Sequence, residues 1–352
     1  MRYHTARIQA FAELGEFLRN FCDIDNSKAS DQTSLPWFKE LEQTITMAGH
    51  KNGWFNRENI IFALSHWGNL LTMEGIENWL ERYPIKDMEA KTVALIMAGN
   101  IPLVGFHDFV SVLLTGNRAL VKLSSNDSVL LPFVVRFLIK KDPTLEGEIE
   151  ITEGKLSNFD TVIATGSNNT ARYFEHYFGE RPNIIRKNRN SVAVLNGDET
   201  ETQLKALGED IFRYYGLGCR SVSKLFVPKG YDFTAFFEAI YEFSPIIDQN
   251  KYANNYDYNK AVYLMSEFKF LDNGFLMLKE DERYASPIAT LFYEQYDDPI
   301  QLRQRIKEDH MNIQCVVSSG TLEEEVQFGE TQTPGLTTYA DGVDTVEFLL
   351  RT

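Results

Sequence analysis

The sequence predicts an α/β protein of two domains, built on parallel sheets and led by a helical segment. Three observations predict it. Its 352 residues make about two domains at ~150 residues each. Residues 1–90 carry apolar side chains at helical spacing. From residue 91, short β-rich runs alternate with helical stretches, the pattern of βαβ units with helices on both sheet faces.

The elements follow in order. Ile8, Phe11, Leu14, Leu18 and Phe21 mark a first helix, and DIDNSKASDQTS (23–34) reads as a surface loop. Ile60, Leu64, Trp67 and Leu71 mark a second helix. Ile76, Trp79 and Leu80 mark a third, ended by Pro84. KTVALIM (91–97), RALVKL (118–123), TVIAT (161–165) and SVAVL (191–195) read as strands. Helices follow the first three: one to Gly116, one capped by Asn126 or Ser128 and running to Lys141, and one to Gly179. ETETQLKALGEDIFRYYGLG (199–218) reads as a helix leading to Cys219, with the strand SKLFVP (223–228) after it. Strand–helix alternation continues to about residue 320, and the tail ends in a β-like run, TVEFLL.

Composition excludes several classes. With 43% apolar and 24% charged residues the chain has material for a large core, unlike a disordered tail, a collagen-like fibre or a disulfide miniprotein. A net charge of −15, from 35 basic and 50 acidic residues, argues against non-specific nucleic-acid binding. The cysteines are Cys22, Cys219 and Cys315, an odd set for a disulfide framework. The N-terminus mixes charges among its apolar residues, so no signal peptide is expected. No apolar run approaches the roughly 18 residues of a membrane span. A reducing cytoplasm is the expected compartment, and no metal site is expected.

Four segments carry candidate chemistry. In Gly216-Leu217-Gly218-Cys219 a thiol sits among glycines, where backbone can approach a ligand and its N–H groups can face an oxyanion. Arg220 beside it would favour the thiolate. AGNIPL (98–103) places Asn100 in a loop after a strand, where its amide can serve an oxyanion or only cap a turn. GNRALVKLSS (116–125) puts Lys122 at a strand's carboxyl end, where α/β sheets bind ligands, with Ser124 and Ser125 after it. ATGSNNT (164–170) opens a helix with Thr165, Gly166 and Ser167, whose N–H groups could hold a phosphate or merely start a capped helix.

Taken in order over residues 91–295, these segments resemble the aldehyde dehydrogenase superfamily, with SPIATLFYEQYDD (286–298) similar to its Gly-Pro-Val…Tyr-Asp segment. The resemblance implies an aldehyde-dehydrogenase-like fold with Cys219 as nucleophile and Asn100 as oxyanion donor. It implies that Lys122 holds the adenosine ribose of a nicotinamide cofactor, and that Thr165, Gly166 and Ser167 precede the cofactor-binding helix. Departures narrow the branch. Hydrolytic members carry a Glu about 34 residues before the Cys, but RKNRNSVAV stands there, with Arg186 or a neighbour at the Glu position. Gly99 replaces the Trp of the Asn motif, and Glu282 lies one place out of register with the Glu that grips the nicotinamide ribose.

These features resemble the fatty acyl-CoA reductases related to bacterial bioluminescence. That branch implies an acyl-CoA substrate, reduced to aldehyde through an acyl-Cys219 thioester. NADPH is the expected donor, with NADH as the alternative, because Ser125 stands where NAD-preferring relatives carry a Glu. His107 and His176 are proton-donor candidates by residue type alone. The expected domains are 1–187 for the cofactor and 188–320 for the Cys. A tail at 321–352 would pack back or contact a partner subunit in a homo-oligomer. Rival readings are an enzyme of the same fold that reduces an acyl phosphate or oxidises an aldehyde, and a non-catalytic binding protein of that fold.

Overall fold

A computed structural model describes residues 2–27, 36–85, 89–320 and 325–352. The backbone divides into two compact units, Met1–Lys187 with Gly335–Thr352, and Asn188–Pro334. The second unit therefore runs past the boundary expected at 320.

The first unit opens with helices α1 (Arg2–Ser27), α2 (Pro36–Lys51), α3 (Arg57–Leu70) and α4 (Met73–Leu80). The periodic residues of α1 face inward: Phe11, Leu14 and Leu18 are fully buried, each contributing about 1.5–3 kcal/mol of transfer free energy. The helix extends to Ser27, through the start of the expected loop 23–34, while residues 28–34 of that loop lie outside the described residues. Helices α3 and α4 start where Asn56 and Thr72 accept backbone N–H groups, as good caps do.

Five parallel strands follow: β1 (Thr92–Ile96), β2 (Arg118–Lys122), β3 (Ile149–Ile151), β4 (Thr161–Thr165) and β5 (Asn183–Arg186). They are interleaved with α5 (Phe106–Leu114), α6 (Leu130–Lys141) and α7 (Asn168–Phe178). The sheet order is β3-β2-β1-β4-β5. Val93, Ala94 and Leu95 are buried as in a strand covered on both faces. The chain builds outward from β1 on one side, then returns to add β4 on the other. In such a sheet the reversal creates a crevice at the carboxyl ends of the two central strands.

Neither Asn126 nor Ser128 caps α6; its N-cap is Val129, without a side-chain bond. Asp127 is turned inward instead, toward the N–H of Leu103. TVEFLL is not a strand either. It forms α12 (Thr345–Arg351), because the Asp344 carboxylate caps the N–H of Glu347 and Val346 and Leu349 bury one helical face.

The second unit contains β6 (Asn190–Val194), α8 (Glu201–Phe212), β7 (Val222–Pro228), α9 (Thr234–Ala239), α10 (Asn250–Met265), β8 (Phe270–Asp272), β9 (Met277–Glu280), β10 (Thr290–Tyr296), α11 (Pro299–Glu308) and β11 (Ile313–Val317). Its order is β11-β6-β7-β10-β9-β8. All neighbours are parallel except β8 and β9, which pair antiparallel across the Asn273–Gly274 turn. Helix α8 begins with a reciprocal Thr200–Gln203 capping box and stops at Phe212, six residues before the end expected from its pattern.

Candidate active site

Three of the predicted segments converge on one edge of the first sheet. Ile96 pairs with Lys122 on one side and Ala164 on the other, so β2, β1 and β4 end side by side. The loop with Asn100, the turn with Ser124 and Ser125, and the Thr165–Ser167 start of α7 therefore emerge together at the order reversal. Asn100 and Ser125 are exposed there, and Lys122, Ser124 and Thr165 are half-buried.

Local bonds explain each placement. The Lys122 Nζ donates to the Gly154 carbonyl at 2.9 Å. Ser124 to Asp127 form a turn closed by the Asp127 N–H on the Ser124 carbonyl, with the Ser124 Oγ accepting from Asn126 N–H. Ser125 lies at its corner. A Cβ on Gly99 would sit 2.6 Å from the Ser124 Oγ, so this backbone leaves no room for the Trp of the related motif. The Gly166 N–H is engaged by the Arg186 carbonyl, and a Cβ there would meet Phe174 and Thr170 at 3.0 Å. Glycine at 166 thus serves close strand–helix packing, and its own N–H is not available to a phosphate. Ser167 caps α7 by accepting from Thr170 N–H.

Cys219 lies in the second unit, at the amino end of β7. It is exposed, whereas Cys22 and Cys315 are buried, and none of the three forms a disulfide. After α8 the chain makes a tight turn over Arg213–Gly216. Tyr214 and Tyr215 both take left-handed φ values, 56° and 58°, and Gly216 follows at 75°. For residues with a Cβ this costs roughly 1–2 kcal/mol each; burial of both rings offsets it. The Ser221 N–H then closes a turn on the Gly218 carbonyl with Cys219 at its corner, and the Ser191 Oγ holds the Cys219 carbonyl at 3.0 Å.

A polar frame surrounds this turn. The Arg220 Nε donates to the Thr331 carbonyl, and the Gln332 side chain donates to the Ser221 Oγ. Asp210 accepts from Gly329 N–H, Thr331 N–H and the Thr331 hydroxyl. Burial pushes the Asp210 pKa up to about 6, against the lowering by those donors. The sequence singled out only Arg220 from this frame; the other members lie too far along the chain to be read as a group.

Other candidates fall away. Arg186 is buried, its Nη2 2.7 Å from the Asp108 carboxylate and 3.0 Å from the Thr345 hydroxyl, so it anchors α5 and α12. His107 is half-buried against Trp79 and Tyr339, with its Nε2 2.9 Å from the Leu336 carbonyl. Burial holds its pKa below the ordinary value, which suits a neutral core ring. His176 is exposed on α7, its ring against Tyr177. Glu282 is exposed, and its carbonyl accepts from the Nζ of the fully buried Lys224. Among the described residues no His, Cys, Asp or Glu cluster could hold a metal ion, and no helix is long and apolar enough to cross a membrane.

The fold is that of the aldehyde dehydrogenases. An indole-3-acetaldehyde dehydrogenase solved with NAD+ superposes with a TM-score of 0.61 at 12% identity, covering 88% of this chain and 71% of its own. The aldehyde dehydrogenase KauB from Pseudomonas aeruginosa gives 0.61 at 13%, covering 90% and 75%. An NAD+ complex of a Bacillus cereus aldehyde dehydrogenase gives 0.56 at 13%, with the same coverages. Within that fold the chain belongs to the acyl-CoA reductase (LuxC) family, whose profile matches residues 16–242. No curated protein sequence gives a significant match.

Proposed function

We propose that this protein reduces an acyl-CoA thioester to an aldehyde with NADPH, through an acyl group carried on Cys219. The observation that carries this is the family match over 16–242, which spans Asn100, Lys122, Ser125, Gly166 and Cys219. The first sheet supports a nicotinamide dinucleotide, since the turn after Lys122 and the start of α7 meet at its order reversal. Lys122, Ser124, Ser125 and the Thr165–Ser167 segment would hold it. When bound, the reduced nicotinamide supplies the hydride.

The chain's own groups account for the remaining chemistry. The Cys219 thiolate attacks the acyl carbon, the carbon–sulfur bond to CoA breaks, and the acyl group stays on Sγ. Exposure at a turn corner suits a thiol that must meet a large thioester. The Cys219 N–H donates to the oxyanion formed as each tetrahedral centre develops, and the family resemblance assigns Asn100 as the second donor. After reduction the thiohemiacetal on Sγ collapses, releasing aldehyde and regenerating the thiolate. Position 186 is an arginine, and the Asp108 carboxylate beside it is tied to that guanidinium, so no general base is offered there to direct water at the acyl-enzyme, which protects a reductive intermediate from hydrolysis.

The test is to mix the protein with acyl-CoAs of graded chain length and follow NADPH oxidation and aldehyde formation. Without NADPH, one acyl mass should appear on the Cys219 peptide and leave with hydroxylamine. Acylation that survives Cys219→Ala, or turnover with acyl phosphate but no acyl-CoA, overturns the proposal.

A further inference from the structure

Asn100 is exposed on a loop, yet both flanks of that loop are fastened to the same neighbour, the Ser124–Asp127 turn. On the amino side, Gly99 packs directly on Ser124, with no room for a side chain. The buried Asn52 spans the two segments, its Nδ2 facing the Gly99 carbonyl at 3.5 Å and the Asn126 carbonyl at 3.3 Å. On the carboxyl side, Leu103 takes a left-handed φ of 55°, unusual for a residue with a Cβ. Its N–H donates to the Asp127 Oδ2 at 2.9 Å. Asp127 is itself buried, and besides the Leu103 N–H its carboxylate faces the N–H of Leu130 at the start of α6. Burying a carboxylate to hold the N–H groups of a strained residue and of the first residue of α6 is an expensive arrangement. It makes sense if the geometry of the Asn100 loop is what it secures.

We propose that Asp127, aided by Asn52, is a positioning residue for Asn100, locking the oxyanion loop to the turn that carries Ser125. Asp127 touches neither substrate nor cofactor; it acts through Asn100 and through the seat of the cofactor ribose. The two loops then move as one piece, so loosening the lock disturbs both NADPH binding and the chemical step. This rests on the proposed function, and the experiment separates the two.

The experiment is a double-mutant cycle on the full chain, with dodecanoyl-CoA and NADPH as probes. Asn100→Ala should slow kcat by about a hundredfold, as loss of an oxyanion donor does. Asp127→Ala should slow it about tenfold and raise the NADPH KM, but cost less than about twofold in the Asn100→Ala background, because coupled residues are not additive. Asp127→Asn keeps an oxygen for the Leu103 N–H and should restore the rate to within about threefold. If Asp127→Ala does not fold by tryptophan fluorescence, Asn52→Ala runs the same cycle. Equal cost in both backgrounds, or no cost from either lock variant, overturns the positioning role while leaving the reductase assignment intact. A wild type inactive toward every acyl-CoA overturns the proposed function instead.

Discussion

Arg186 offers a sharp test of what its position does. Sequence register places it or a neighbour where hydrolytic relatives carry a catalytic Glu, which invites the view that Arg186→Glu would install a hydrolase. The structure argues otherwise. The Arg186 and Asp108 side chains are each only 8% exposed and 2.7 Å apart, and the Arg186 Nε already lacks a partner. Removing Asp108 alone leaves a buried guanidinium uncompensated, a loss of about 3–5 kcal/mol. Arg186→Met alone strands the Asp108 carboxylate beside Thr345 and should cost a similar amount. The double variant Asp108→Ala/Arg186→Met removes both charges and should recover most of it. At about 2–4 °C per kcal/mol for a unit of this size, each single variant should lower Tm by roughly 6–20 °C. The assay reads this unit alone, because all four tryptophans, Trp37, Trp54, Trp67 and Trp79, lie within it. Arg186→Glu sets two carboxylates side by side and should be as unstable, with no gain in oxidation of aldehyde to acid. A well-folded Arg186→Glu variant that oxidises aldehyde rapidly to acid, or a Tm loss below about 2 °C for Asp108→Ala, would refute the buried-anchor view.

Three further outcomes are expected. Ser125→Glu should shift the NADPH/NADH ratio of kcat/KM toward NADH by about tenfold or more, since a carboxylate at that corner repels a 2′-phosphate; an unchanged ratio shows that the turn does not read the 2′ position. The acyl-enzyme should resist water, general-base help being worth about 10²–10⁴ in rate, so in stopped flow its hydrolysis should be far slower than its reduction by NADPH, and the reverse order contradicts the mechanism. Asp210, 0% exposed with a folded pKa of about 6 against an ordinary 3.8, contributes stability that is full below about 3.8 and lost as pH rises through about 6, about 3 kcal/mol at most. Chemical denaturation of wild type and Asp210→Asn from pH 4 to 7 checks the sign: wild type should gain on the variant as pH falls, and a flat difference rejects it.

Local rules governed what was legible in the sequence. Periodic Phe11, Leu14 and Leu18 face a core because a 3.6-residue repeat puts them on one side of a helix. Apolar runs such as Val93–Leu95 become covered parallel strands because nothing in them tolerates water. The order of Asn100, Lys122, Gly166 and Cys219 carried the family, since spacing along the chain survives when identity does not. Other features depend on partners far away in sequence. Tyr214 and Tyr215 turn left-handed only because buried surroundings offset the strain; nothing in a Tyr-Tyr pair announces it, and periodicity carried α8 too far. Residues 346–350 pack as a helix because Asp344 caps them and the first unit receives Val346 and Leu349. Arg186 reads only as a departure from the hydrolytic Glu, and its burial appears once Asp108, 78 residues earlier, closes on it. Asn126 and Ser128 read as caps for α6, yet it is Asp127 between them that the fold turns inward to the Leu103 N–H. Each of these rests on burial and on long-range hydrogen bonds, which a linear pattern does not encode.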